Sequence, residues 1–252
     1  MSDILERPTT RDEAWRYADG DWLAKADAAQ LGQWHEHHIA PGETERGFAV
    51  VEPDSGSKVD RLRVRVGKGA RYEHFLVNAG GPYSRCELEV TLEEGAHFEL
   101  GGVMLGGGDA RAEIVTRVIH APRSTSSQVL RSVQWGRSVG NFLGRIEIPR
   151  DSQQVDAAQN FKAILLEAGA SANAKPELEI NADDVKAAHG AAIGALDDKA
   201  AFYMASRGIP PEAARKLLVR AFIADAFAAV AHDEVRDDLL EQSLHFLEGA
   251  AL

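Results

Sequence analysis

Histidine carries most of the chemistry that this sequence could perform. His189 stands alone among small residues in VKAAHGA. A neutral imidazole there can ligate a transition metal or exchange a proton near neutral pH, and Ala187, Ala188, Gly190 and Ala191 would let another surface approach closely. HEHH, at residues 35–38, is the densest group of metal-ligating side chains. It lies in a stretch rich in Gly, Pro and charge, with nothing to fix its geometry or orient its rings, and is expected as a solvated loop. His74, His97 and His120 recur at equal intervals, a spacing that could stack them on successive coils of a repeating fold. LGGGDAR lacks the Lys followed by Ser or Thr of a phosphate loop and reads as a turn, so nucleotide binding by this chain is not expected. Cys86 is the only cysteine, which excludes an intrachain disulfide and leaves any Cys-based metal site dependent on outside ligands.

Composition narrows the classes further. The chain has 252 residues and is 44% hydrophobic, enough for one large domain or two modest ones with a real core. Its 39 acidic residues against 28 Lys and Arg give a net charge of -11, which disfavours nucleic acid as a partner. The amino terminus lacks the basic-then-apolar pattern of a secretory signal, and no stretch offers the roughly 20 apolar residues of a membrane span. A cytoplasmic location and no membrane association are therefore expected.

The elements that would position these groups fall into three regions. In TTRDEAWRYADGDWL, Thr9 or Thr10 could cap a short helix anchored by Trp15 and interrupted at Gly20. HEHHIAPGETERGFAVVEPDSGSKVD reads as a linker with at most brief strands. From Val59 to Glu179 the period becomes two: RLRVRV places Leu62, Val64 and Val66 on one side, and CELEVTL does the same with Leu88, Val90 and Leu92. Further strands follow in AEIVTRVI, SQVLRSVQW, FLGRIEI, QNFKAILLE and PELEI, separated by turns such as GKGA and EEGA. Many strands without intervening helices leave a sandwich, a barrel or a β-helix. VGKGARYEHFLV matches LEEGAHFELGGV, aligning Gly69 with Gly95 and Tyr72 with Phe98, which points to repeated strand-and-turn geometry and sets His74 against Leu100 rather than His97.

After Gly194 the pattern turns helical. Asp197 or Asp198 caps ALDDKAAFYMASRG, Gly208 stops it, and Pro211 opens PEAARKLLVRAFIADAFAAVAHD. In that helix Leu218, Phe222 and Ala226 form one row and Val219, Ile223 and Phe227 another, a wide apolar stripe that either packs on neighbouring helices or stays open to a partner. EVRDDLLEQSLHFLEGA reads as a last amphipathic helix using Leu239, Leu240, Leu244 and Phe246.

PELEINADDVKAAHGAAIGALDDKAAFYMASRGI, at 176–209, resembles the carboxyl-terminal signature of the SufD branch of the SufB/SufD family, and RDEAWRYADGDWL, at 11–23, resembles its entry helix. The resemblance implies a mainly β protein: a right-handed parallel β-helix core over residues 44–194, short amino-terminal helices and linker over 1–43, and a carboxyl-terminal helical, ATPase-docking domain over 195–252. It also implies a non-catalytic scaffold in iron-sulfur cluster assembly by the SUF system. A SufB-like scaffold would pair with the core, and a SufC-like ATPase would dock on the helices through Phe202, Tyr203, Arg207, Ile209 and Phe222.

By the same resemblance, His189 contributes to nascent cluster assembly at the interface, as metal and cluster ligand. No cofactor is expected to stay bound to the isolated chain, and any iron-sulfur cluster at that interface is expected to be transient. Some close SufD proteins have cysteine where this chain has Ala187, so a role needing that thiol is absent. The alternatives are a homodimeric structural or general protein-binding module and a polysaccharide-active β-helix. The latter would need a localised acid and base opposite a groove.

Overall fold

In the computed structural model, which describes residues 7–247 and 250, residues 35–194 wind into a parallel β-solenoid. Odd-numbered strands β1 (His35–Ile39), β3 (Lys58–Val66), β5 (Tyr83–Leu92), β7 (Arg111–His120), β9 (Val139–Ile148) and β11 (Ser171–Ile180) form sheet A in sequence order. Even-numbered strands β2 (Thr44–Val51), β4 (Arg71–Asn78), β6 (His97–Gly106), β8 (Thr125–Gln134), β10 (Val155–Leu165) and β12 (Val185–Gly194) form sheet B, which faces it. Each coil adds one strand to each sheet, always parallel to the last. Of the three architectures left open by periodicity, this is the β-helix.

The internal match is the true register of one coil on the next: Tyr72 pairs with Phe98 and His74 with Leu100. Gly69 and Gly95 occupy the same turn position at φ 65° and 69°, a left-handed conformation that favours glycine. The rings of Tyr72 and Phe98 also stack, with centroids 6.0 Å apart inside the lumen.

The two sheets differ in what covers them. In β3 and β5 of sheet A apolar and charged residues alternate: Val64, Val66, Leu88, Val90 and Leu92 are buried inside. The outward side chains form a ladder of ion pairs across the strands, in which Arg63 bridges Glu36 and Glu89, and Arg117 bridges Glu89 and Glu147. Arg145 continues it to Glu179. Parallel register places opposite charges side by side, so the polar half of each strand contributes to pairing as well as to solubility.

Sheet B is apolar on both faces. Tyr72, Leu76, Phe98, Leu100 and Met104 point into the lumen, while Phe75, Val77, Val103, Leu105 and Val133 point outward into a second core. That second core is completed by α4 (Pro211–Ala224), the 3-10 turn Asp225–Phe227 and α5 (Asp233–His245). Val219, Ile223 and Phe227 are fully buried there. The expectation that the α4 stripe either meets only helices or stays open is therefore corrected. It packs on the outside of the solenoid, where the run Phe75–Leu76–Val77 needs cover on both sides.

At the other end of the chain, a 3-10 turn (Glu13–Trp15), α1 (Gly20–Lys25) and α2 (Ala28–Gly32) lie on the outside of sheet A. Trp15 is the expected anchor, buried over the Arg85 guanidinium at 4.0 Å. The expected caps are not used. Asp12 precedes the 3-10 turn and accepts a hydrogen bond from the Thr9 backbone at 2.7 Å. Gly20 opens α1 instead of interrupting a helix, because the Asp19 side chain caps it by accepting from Trp22 N. The supposed linker is also corrected: HEHHI forms β1 and TERGFAVV forms β2, because β3 and β4 offer ladder partners that local propensity cannot reveal.

Candidate functional site

The solenoid ends on an open coil. β12 hydrogen-bonds to β10 on one side and has no strand partner on the other among the described residues. Its sequence, VKAAHGAAIG, has little β-propensity, and full register with β10 makes it a strand at the end of the expected core. His189 stands opposite Gln159, a buried lumen residue, so its place on β12 is in the inward-facing row. Because no further coil follows among the described residues, that row is exposed at the mouth: His189 is exposed and Ile193 is 44% exposed, as is Ile180 at the end of β11, at 41%. The small residues Ala187 and Ala191 flank His189 in the same row.

Beyond the mouth, α3 (Asp198–Ser206) is capped by the Asp197 carboxylate, which accepts from Lys199 N at 2.9 Å and Ala200 N at 3.2 Å. It buries no residue. Phe202 is 76% exposed and Tyr203 59% exposed, and the exposed Arg207 guanidinium lies 5.2 Å from the Tyr203 ring. Ile209 is half-buried just past Gly208, whose φ of 82° stops the helix. Phe222 belongs elsewhere: it is half-buried on the chain's own second core, with its ring 5.8 Å from the Arg131 guanidinium. Four of the five residues expected to contact a partner thus share the α3 region, and the fifth packs inward.

Most of the remaining histidines are engaged, and the thiol is buried. His74 and His120 are buried in different sheets, and His97 pairs with Arg71, so equal spacing does not stack them. Burial pushes His74 down to about 4, and burial outweighs a hydrogen bond that the ring donates to the Ser124 backbone to bring His120 to the same value. Within HEHH, His37 pairs with Glu45 at 2.9 Å and His38 meets the Arg65 carbonyl at 3.2 Å. No group of three metal-ligating residues occurs among the described residues. Burial raises the Cys86 thiol to about 12, so it cannot serve as a thiolate.

Two carboxylates on the outer face of sheet A, Glu89 and Glu179, are held in their charged form by arginine. Burial would raise Glu89, but hydrogen bonds from Arg63 and Arg117 outweigh it and hold the carboxyl below its usual range. The hydrogen bond from Arg145 lowers Glu179 likewise. A general acid needs the opposite shift.

Residues 50–222 match the family described as SUF system FeS cluster assembly, SufBD core domain. The chain belongs to the SufB/SufD family. It is 32% identical over 186 residues to an iron-sulfur cluster assembly SufBD family protein of Synechocystis, covering 72% of this chain and 40% of that one. It is 32% identical over 179 residues to the chloroplastic protein ABCI7 of Arabidopsis thaliana, covering 69% of this chain and 37% of the other. With the iron-sulfur cluster assembly protein SufD of Bacillus subtilis it shares 28% identity over 187 residues, 72% of this chain and 42% of SufD. The chain thus spans less than half the length of these curated relatives. Among the described residues, no helix is long and apolar enough to cross a membrane.

The SufBD core match runs past the open coil, through α3 and into α4, so the mouth and the exposed α3 face both lie within it. On β12, His189 is the one side chain of a type that ligates transition metals; position 187 is alanine, and Cys86 is buried on β5. Sequence reasoning missed two features here. One was the status of β12 as an edge strand, which no local signal carries. The other was the second face of sheet B, signalled by the unbroken apolar runs FLV and VML.

Proposed function

We propose that this chain is a non-catalytic scaffold subunit of a SUF assembly complex, acting in the cytoplasm. The free edge of β12 accepts a strand from a SufB-like scaffold, and the exposed α3 face of Phe202, Tyr203 and Arg207 docks a SufC-like ATPase. The carrying observation is the open last coil, with His189 in its exposed inward row beside an unpaired backbone edge. Pairing at that edge would bring partner thiolates or sulfide to the imidazole, which contributes one ligand or one proton to the nascent cluster. ATP-driven movement of the ATPase would pull on α3, and the packing of α4 on sheet B gives such a pull a stiff lever to the shared edge.

The test is reconstitution with SufB and SufC under anaerobic conditions. The expected results are a heterocomplex at micromolar concentrations, altered SufC ATPase activity, and a cluster signal that falls when His189→Ala is used at unchanged complex affinity. No binding to either protein would defeat the scaffold reading. Unchanged cluster yield with His189→Ala would remove the histidine from it. A stable dimer of this chain that SufB cannot displace would favour the homodimeric module instead.

A further inference from the structure

One layer of the lumen is polar on both walls. On sheet B, adjacent strands carry Leu100, Gln128, Gln159 and His189 in a single row of register partners. On sheet A the corresponding row includes Thr116 and Gly144. The Gln159 side chain crosses the lumen: its Nε2 lies 3.4 Å from the carbonyl oxygens of both Gly144 and Glu177. A Cβ on Gly144 would meet Gln159 Oε1 at 2.1 Å, so glycine makes room for the amide. The layer beside it is aromatic, with Phe142 and Phe161 stacked at 5.5 Å.

In this layer Thr116 Oγ1, Gln128 Nε2 and Oε1, and Gln159 Oε1 are buried without a protein partner. Their residues are 2%, 1% and 2% exposed. An unpaired buried amide or hydroxyl forfeits the hydrogen bonds that it makes to water in the unfolded chain, and several in one layer would weigh heavily against folding. We propose that this layer binds a small cluster of ordered water directly behind His189. The atoms include both donors and acceptors, enough for the two to four hydrogen bonds a buried water makes. All are neutral, so the layer suits a neutral hydrogen-bonding guest and offers an ion no countercharge. Leu100, next in the same row, bounds the layer on one side, and the exposed His189, next on the other, marks its end at the open coil.

A high-resolution crystal structure of the chain, with urea unfolding of Gln128→Leu, Gln159→Leu and the double variant, tests this. Ordered water within hydrogen-bond distance of at least two of these side chains is expected. Each single variant should lower the urea midpoint by orphaning the remaining groups, and the double variant should lose less than the two singles combined. A dry lumen, with the Gln128 and Gln159 amides bonded directly to each other, would overturn the proposal. So would strict additivity of the two substitutions. If the variants do not fold, the presence or absence of water in the unaltered chain decides alone.

Discussion

Arg131 on β8 holds Asp225 at the foot of α4. Its guanidinium, 3% exposed, donates from Nε at 3.0 Å and from Nη2 to the same carboxylate oxygen. The remaining guanidinium nitrogen donates to the carbonyls of Leu130 and Asn160 at 2.7 and 3.2 Å. This one side chain therefore links the helices to two strands of sheet B. Asp225→Asn should cost about 1–2 kcal/mol, the lower end for a charged hydrogen bond because the carboxylate is half-exposed. Gly101→Ala should loosen the same contact from the strand side. Its Cβ would meet the Ala226 carbonyl at 2.1 Å, and backbone cannot yield cheaply, for an overpacking cost of about 1–3 kcal/mol. Urea unfolding of both variants is the check.

The two aromatic sets of the helical region should respond oppositely. Phe227→Ala removes a fully buried ring between α4 and sheet B and should cost about 3–5 kcal/mol of stability. Phe202→Ala removes a ring that is 76% exposed and should change stability by no more than about 0.5 kcal/mol. If α3 docks the ATPase, Phe202→Ala should weaken that complex about tenfold or more in titration calorimetry. Equal effects of the two substitutions on stability would contradict the packing described.

Acid should destabilise the fold in a window set by buried histidine. His74 and His120 titrate near 4 in the folded chain against an ordinary value of 6.5, so between these limits the unfolded state takes up protons that the native state refuses. Stability contributed by their neutral forms is complete above about pH 6.5 and declines as pH falls toward 4, on the order of 3 kcal/mol for each at the acid limit. The arginine-paired carboxylates Glu89 and Glu179 have lowered values, so their contribution fades only below their ordinary 4.5. Urea midpoints measured from pH 7 to 4 should fall, and His120→Asn should flatten the upper part of that limb.

The amino-terminal segment seals a buried ion pair. Arg85 and Glu113 are register partners whose side chains are both 0% exposed, with Nη1 and Oε2 3.1 Å apart. Tyr83 and Asn141 each donate to Glu113 at 3.0 Å, and Trp15 covers Arg85. Glu113→Ala should cost about 1.5–3 kcal/mol, the range of one charge-assisted hydrogen bond, because Arg85 keeps Glu87 at 3.1 Å from Nε and Nη2. Increased proteolysis near Trp15, monitored by mass spectrometry, is expected alongside.

Sequence alone determined what repeats and what alternates. RLRVRV and CELEVTL announced strands with one wet face, the Gly69 and Gly95 match gave the register of one coil, and Asp197, Gly208 and Pro211 marked helix ends. These are local signals, set by the backbone period of a strand, the left-handed glycine and the missing proline N–H. The residues singled out in 176–209 carried the family likeness, and His189 with them.

Tertiary structure decided which surfaces were covered and which were left open. β1 and β12 became strands because a neighbour offered a hydrogen-bonded ladder, and the α4 stripe was consumed by the outer face of sheet B. His189 reads as an isolated histidine in the sequence. Its place at the mouth of a lumen, one strand from Gln159, follows from the register of residues far apart in the chain. Burial and edge status belong to pairs of elements, and no single segment encodes them.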